Sequence, residues 1–244
     1  MSLETEIAAL VAANNKLIDY FNGKKTAIDA AVSAAIAAAP LLVRGYWVDP
    51  QLGDDANGLG TEASPFKTIQ RAVDATPDCG RVTVWLAKDY TLDKSITTNG
   101  RQIVIGALPG SGRRLILNEF IPEGGDSLLR MGSFWMSSGS TLQLLNVTLS
   151  LPASSAGDLS AYYALAFASG SSAPIIMQVR MYNCAFELRG TFRGRLIGPG
   201  SALFALSMTG TAVPSALNGS LIVGVAAGTL SKDLGHVITN LSSL

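Results

Sequence analysis

Apolar residues fall at heptad spacing over the first forty positions and switch to a shorter period afterwards. With Ile7, Asn14, Phe21, Ile28 and Ala35 at a, and Leu3, Leu10, Leu17, Lys24 and Ala31 at d, a narrow seam follows one helix face. The seam is sound from Leu3 to Phe21. Asn22-Gly23 predicts an interruption, and Lys24 is a poor core residue. Ile28, Ala31, Val32, Ala35 and Ile36 then build a second, Ala-rich helix closed by Pro40. Residues 1–40 are thus expected to form a helical, coiled-coil-like segment that meets other copies through Leu3, Ile7, Leu10, Asn14, Leu17, Phe21 and Ile28. Ile at a, Leu at d and a buried Asn are dimer-like features, so the heptads leave the number of helices open. A helical hairpin packed on its own chain is the alternative.

From residue 46 the pattern changes. Tyr46-Trp47-Val48 reads as a strand that enters an acidic, Gly-rich loop. Ser64-Pro65 predicts the start of a short helix, with Ser as N-cap, Pro at the first position, and Phe66, Ile69, Ala72 and Val73 on its apolar face. Strands are expected at 82–86, 102–105, 114–117, 127–131 and 141–149, punctuated by Gly106, Pro109, Gly110, Gly112, Gly124, Gly125 and Gly139. The segment LQLLNVTLSL (142–151) aligns without gaps on VRMYNCAFEL (179–188), and Asn146 coincides with Asn183. Stacked repeats explain this: an Asn at a sharp turn adopts left-handed φ. The long spacing then requires a loop near 152–158 to bulge out. A partial third copy, HVITNLSSL (236–244), shares Ile238 and Asn240.

The 18 basic and 18 acidic residues cancel, which argues against nucleic acid as a partner. Cys79 and Cys184 are expected as free thiols. No secretory leader pattern is visible at the start. The uncharged run 196–231 is broken by Gly and Pro too often to be a membrane span. Residues 151–244 carry only Asp158, Glu187, Asp233, Arg180, Arg189, Arg193, Arg195 and Lys232, which predicts a β-rich part packed against other subunits as a prism or sandwich.

Candidate chemistry is sparse. Asp54/Asp55 and Glu119/Glu123/Asp126 are the acidic groups near one another, but turn chemistry and a solvated loop account for them. The loop from Asp49 to Gly58 lacks the spacing of a calcium hand. One histidine, His236, excludes a multi-His site, and no cofactor motif is present. For binding, Phe134, Trp135, Tyr162 and Tyr163 are candidates to stack on sugar rings, and Arg193, with Arg189 and Arg195, to meet an anionic glycan. Trp135, Tyr162, Tyr163 and Arg193 are the preferred contacts.

Residues 46–91 closely resemble the opening of right-handed β-helix domains in phage tail fibres and tailspikes. The resemblance rests on Tyr46, Val48, Asp49, Gly53, Asp54, Asp55 and Gly58, then Ser64, Pro65, Phe66, Lys67, Thr68, Ile69, Gln70, Ala72 and Val73. The run from Phe21 to Lys25, with Ile28 to Val32 and Ala37 to Pro40, similarly resembles the attachment helix of many tail-fibre proteins. The resemblance implies a mainly β chain with a helical attachment segment (1–40) and a right-handed parallel β-helix (41–150), to which the composition adds the charge-poor β-rich end (151–244). It also implies a homotrimer in the virion, made in the host cytoplasm, joined to the baseplate or another fibre and meeting a host-surface glycan. Two alternatives are a tailspike depolymerase acting on polysaccharide and a bacterial surface adhesin.

Overall fold

The computed structural model describes residues 2–38, 42–125, 127–155 and 157–244. The chain divides into two units, Met1–Leu42 and Val43–Leu244. The first is one helix, α1 (Leu3–Ala38), 36 residues long. It runs unbroken through Asn22 and Gly23, where the sequence predicts an interruption. A glycine inside a helix costs only about 1 kcal/mol, which long flanking helical segments absorb. Thr26 Oγ also donates to the Asn22 carbonyl at 2.9 Å. Pro40 lies outside the described residues. Leu3, Ile7, Leu10, Asn14, Leu17, Phe21 and Ile28 are all exposed. Because the helix is continuous, Val11, Ile18 and Val32 keep one heptad register at e. The exposed stripe is therefore broader than an a/d seam.

In the second unit, three parallel sheets account for nearly all strands. Sheet A orders β1 (Val43–Val48), β2 (Arg81–Leu86), β5 (Gln102–Gly106), β10 (Thr141–Leu145), β13 (Ile176–Tyr182), β16 (Leu203–Thr209) and β17 (Val237–Thr239). Sheet B stacks β3 (Tyr90–Leu92), β6 (Arg114–Leu117), β11 (Thr148–Leu151) and β14 (Ala185–Leu188). Sheet C stacks β4 (Ser95–Thr97), β9 (Ser133–Trp135), β12 (Ala164–Phe167) and β15 (Arg195–Ile197). From β2 to β15 the chain visits A, B and C in turn, four times over. A short antiparallel pair, β7 (Glu119–Phe120) and β8 (Arg130–Met131), is inserted in the second circuit.

Alternation along each strand sends one set of side chains inward. Val84, Ile105, Leu144, Met181 and Met208 stack in register through sheet A, and Leu115 and Leu149 through sheet B; all are buried. The helix α2 (Ile69–Asp74) buries Ile69, Ala72 and Val73 in the same core. Its N-cap is Thr68, not Ser64. The chain stays extended through Phe66, which bridges to Val48, and Thr68 Oγ accepts from Arg71 N at 3.1 Å. Asp55 reinforces the cap, accepting from Lys67 N, Thr68 N and Thr68 Oγ at 2.7–2.9 Å. Asp49 and Asp54 close turns through the amides of residues 51–52 and 56–57. At Gly53 a Cβ would collide with the Phe66 carbonyl, so this tight loop requires glycine.

The repeat 142–151/179–188 is realised in the predicted register, with Leu142 beside Val179 and Leu149 beside Phe186. Asn146 (φ 54°) and Asn183 (φ 50°) are both left-handed, and Asn146 splits the strand expected over 141–149 into β10 and β11. The third copy is different. Thr209 pairs with Tyr182, so Gly210 (φ 60°) follows as the next corner after Asn183. Thr239 pairs with Leu206, which puts Asn240 short of that corner. The strand expected at 127–131 is reduced to Arg130–Met131, since Ser127 has φ 56°.

The sheets cross residue 150 without a break, and, among the described residues, 151–209 form no separate prism or sandwich within the chain. Beyond β16 the chain buries Leu217, Leu221, Ile222, Val225 and Leu244 in the core. Part of the charge-poor character thus reflects burial inside the chain. Cys79 is exposed, Cys184 is buried, and both are free thiols.

Candidate binding surface

Trp135 and Phe167 are register partners on sheet C, and their rings lie 6.1 Å apart and nearly parallel. Tyr162 packs against Phe167 with ring centroids 5.0 Å apart, tilted to it. The Arg130 guanidinium carbon stands 5.6 Å from the Tyr162 ring. Trp135 (exposed), Tyr162 and Arg130 (half-buried) therefore form one surface strip, joined through the Phe167 ring, which is itself buried. Such a strip offers flat apolar faces beside a cation. Sequence reasoning named Trp135 and Tyr162 but missed Arg130 and Phe167. The signal was the register, which only the stacking of sheet C supplies.

Tyr163 and Phe134, expected to face a ligand, are instead both buried and unavailable to one. Tyr163 serves the loop between β11 and β12. Its hydroxyl donates to Glu119 Oε1 at 2.7 Å, and Ser154 Oγ lies 3.3 Å away. Burial pushes its phenol well above the ordinary value, and the Glu119 carboxylate adds to that against the Ser154 contact. Glu119 Oε1 also accepts from Ser155 N at 3.0 Å. Leu129 bridges Leu159. Glu119 is therefore a loop anchor and not part of a solvated loop, as sequence reasoning held.

Arg193 is exposed but tied to the same loop: its N–H donates to Ser154 Oγ at 2.8 Å and Nη1 to the Ser155 carbonyl at 3.1 Å. Arg189 donates to Asn118 Oδ1 at 2.9 Å and to the Leu117 carbonyl. Arg195 donates to the Gly194 carbonyl at 2.8 Å. The three arginines thus hold backbone.

The insertions share one corner. Chain passing from sheet B to sheet C takes residues 93–94 in the first circuit but 118–132, 152–163 and 189–194 in the next three. Loops that repeat on one side of a stacked array often form its binding face.

Asp126 lies outside the described residues, and several other carboxylates are engaged. Asp89 Oδ2 pairs with Arg114 Nε at 2.8 Å, and Glu187 approaches Arg114 Nη1 at 3.6 Å. Asp54 is held below its ordinary range by the Asn57 side chain and the Ala56 and Asn57 amides. Among the described residues, no group of three or more His, Cys, Asp or Glu could hold a metal ion. No helix among them is long and apolar enough to cross a membrane.

A second surface was not foreseen. The outer face of sheet A carries a groove of about 630 Å³ whose lining includes Gln102, Gln143, Gln178 and Arg180 together with the apolar Ala205 and Ile238. The signal lay in the alternation Leu142-Gln143-Leu144 and Met177-Gln178-Val179-Arg180-Met181, whose polar half faces outward.

Comparison with protein-family models, with curated proteins and with solved structures finds no match.

Proposed function

We propose that this chain is a structural virion protein, a trimeric phage tail fibre or baseplate-attached fibre that meets the host surface or carries another fibre. The exposed stripe of α1 carries this reading. Leu3, Leu10 and Phe21 are each more than 60% exposed, at 73%, 71% and 61%, while the second unit has a buried core of its own. An amphipathic helix of that length without a partner leaves a large apolar patch in water, and parallel copies remove it. The residues expected to meet are Leu3, Ile7, Leu10, Leu17, Phe21 and Ile28, widened by Val11, Ile18 and Val32. Asn14 fixes their register. One end of the bundle then docks to the baseplate or to another fibre.

The second unit is read as a right-handed parallel β-helix. Its parallel strands return to the same sheet by crossover connections, and these are right-handed in about 98% of cases. The motif of residues 46–73 supports the same reading, since Asp49, Asp54, Asp55 and Thr68 close its turns and cap α2. Trp135, Tyr162 and Arg130, braced from below by the buried Phe167 ring, are the proposed contact with a host-surface glycan. Polysaccharide hydrolysis would require two carboxyls flanking one bond. Asp54, Asp55, Asp89 and Glu119 are engaged as caps and anchors, which favours a non-enzymatic fibre.

Light scattering tests the assembly. The full chain is expected near three times its 25.4 kDa mass, and Ile7→Asp with Leu17→Asp should reduce it to monomer. A monomeric wild-type chain would overturn the fibre reading.

A further inference from the structure

The groove on sheet A combines a cation without a counter-ion and amides without partners. Leu142, Leu144, Val179 and Met181 point into the core, so Gln143, Gln178 and Arg180 point out. Register places Arg180 between Gln143 and Ser207, and Thr141 between Gln102 and Gln178. Neighbouring strands in such a ladder lie about 4.8 Å apart, which brings these groups within reach of one ligand. Among the described residues, the side chains of Gln102, Gln143 and Gln178 make no hydrogen bond, and Arg180 makes no ion pair. The Arg180 guanidinium carbon has the Tyr182 ring 5.8 Å away, a contact that steadies it.

The charge pattern selects the occupant. The seven strands of sheet A carry Arg44, Arg81 and Arg180 but no Asp or Glu. Arg180 and Arg81 both stand on the outer side, since their neighbours Val179, Met181 and Val82 are buried. Two such faces brought together would set arginine against arginine, so self-association through this face is disfavoured. An anion is favoured, and a carboxylate matches the guanidinium fork. The amides add paired donors and acceptors suited to hydroxyls. A peptide fits less well. The backbone groups of inner strands are used in the ladder, so strand addition is closed there and recognition falls to side chains.

We propose that this groove binds an acidic polysaccharide, with Arg180 taking a carboxylate and Gln143 and Gln178 taking ring hydroxyls. The proposal deepens the attachment reading and rests on it only for the biological role.

Titration of the full chain with polygalacturonate, with its methyl ester and with poly-glutamate tests it. Polygalacturonate is expected to bind, and more weakly as salt rises. The methyl ester should bind about tenfold more weakly or not at all, and Arg180→Glu should lose about tenfold or more. Gln143→Ala with Gln178→Ala, which keeps the charge, should also weaken binding. Arg180 is exposed and makes no ion pair, so its replacement should leave the melting temperature unchanged. If Arg180→Glu proves misfolded, the glutamine pair carries the test. Failure of the wild-type chain to bind polygalacturonate would overturn the proposal. So would equal binding by the folded variants, or equally tight binding of poly-glutamate. Light scattering on the same samples separates the two readings: a trimer without binding removes the groove, and binding by a monomer removes the fibre.

Discussion

Asn240 grips the backbone of Met208 with both ends of its side-chain amide. Its Oδ1 accepts from Met208 N at 2.9 Å, and its Nδ2 donates to the Met208 carbonyl at 2.6 Å. The carboxamide stands where the peptide group of another strand would be, because β17 pairs with β16 only over Phe204–Leu206. Open strand edges invite pairing with other chains. Asn240→Ala should therefore lower stability by about 1–2 kcal/mol in urea unfolding and raise aggregation on storage. Asn240→Asp keeps the acceptor but sets a carboxylate against the Met208 carbonyl, so it should rescue neither effect.

The corner of Asn146, Asn183 and Gly210 permits a sharper test. All three have left-handed φ, and a Cβ on Gly210 would strike Asn183 Oδ1. Gly210→Ala thus meets two obstacles, backbone strain of about 1 kcal/mol and the Asn183 amide. Asn183→Gly removes the second and also relaxes its own φ. The double variant Asn183→Gly/Gly210→Ala should lose less than the two single losses combined, by about 0.5 kcal/mol or more in a double-mutant cycle. Strict additivity would mean that the two corners do not touch.

This corner also marks how far the sequence alone could be read. Asn146 and Asn183 announce the stacking register because their flanking apolar residues alternate alike. The third corner escaped because Gly210 replaces the asparagine, and Asn240 imitates the motif while doing a different job. Ser64-Pro65 has good capping chemistry, yet no helix starts there: the Pro65 carbonyl accepts from Asp54 N and the chain stays extended. Trp135 and Tyr162 were legible as surface aromatics. Their meeting through Phe167 depends on which strands stack in sheet C, which no local pattern encodes, whereas the outward pair Gln143 and Arg180 follows from the repeat register and the strand alternation.

The Glu119–Tyr163 bond ties two insertions together. A hydrogen bond to a charged group contributes about 1.5–3 kcal/mol. Tyr163→Phe removes it without opening a cavity, so the melting temperature should fall. Amide exchange should quicken over 152–163 while the core strands stay protected. Glu119→Gln, which keeps an acceptor, should have the smaller effect.

Acid should weaken the second unit through Asp89 and Asp54. Burial alone would raise the Asp89 carboxyl, but the Arg114 amide, guanidinium and charge outweigh it and hold it below the ordinary carboxylate value. Asp54 is likewise depressed by Asn57 and the Ala56 amide. A carboxyl depressed in the folded state contributes stability that is complete above its unfolded value. That contribution is lost as pH falls through the folded value. Unfolding free energy should therefore be flat in these two groups above about pH 5 and decline below about pH 4. Asp89→Asn should be less stable than wild type at pH 7, with a shallower decline below about pH 4. Parallel curves would show that the Arg114 contact adds nothing.

Gly23 separates a hinge from an ordinary helical residue. α1 passes through it without a break, and a Cβ added there would meet no atom within 4 Å. Alanine at an exposed helix interior is about 1 kcal/mol better than glycine. Gly23→Ala should raise the helical signal of the full chain and its resistance to thermal loss of helix, and leave the light-scattering mass unchanged. If the assembly instead needs α1 to bend at Asn22-Gly23, the same substitution should lower the mass or slow assembly. A straight continuous seam from Leu3 through Ile28 would then be the wrong description of the bundle.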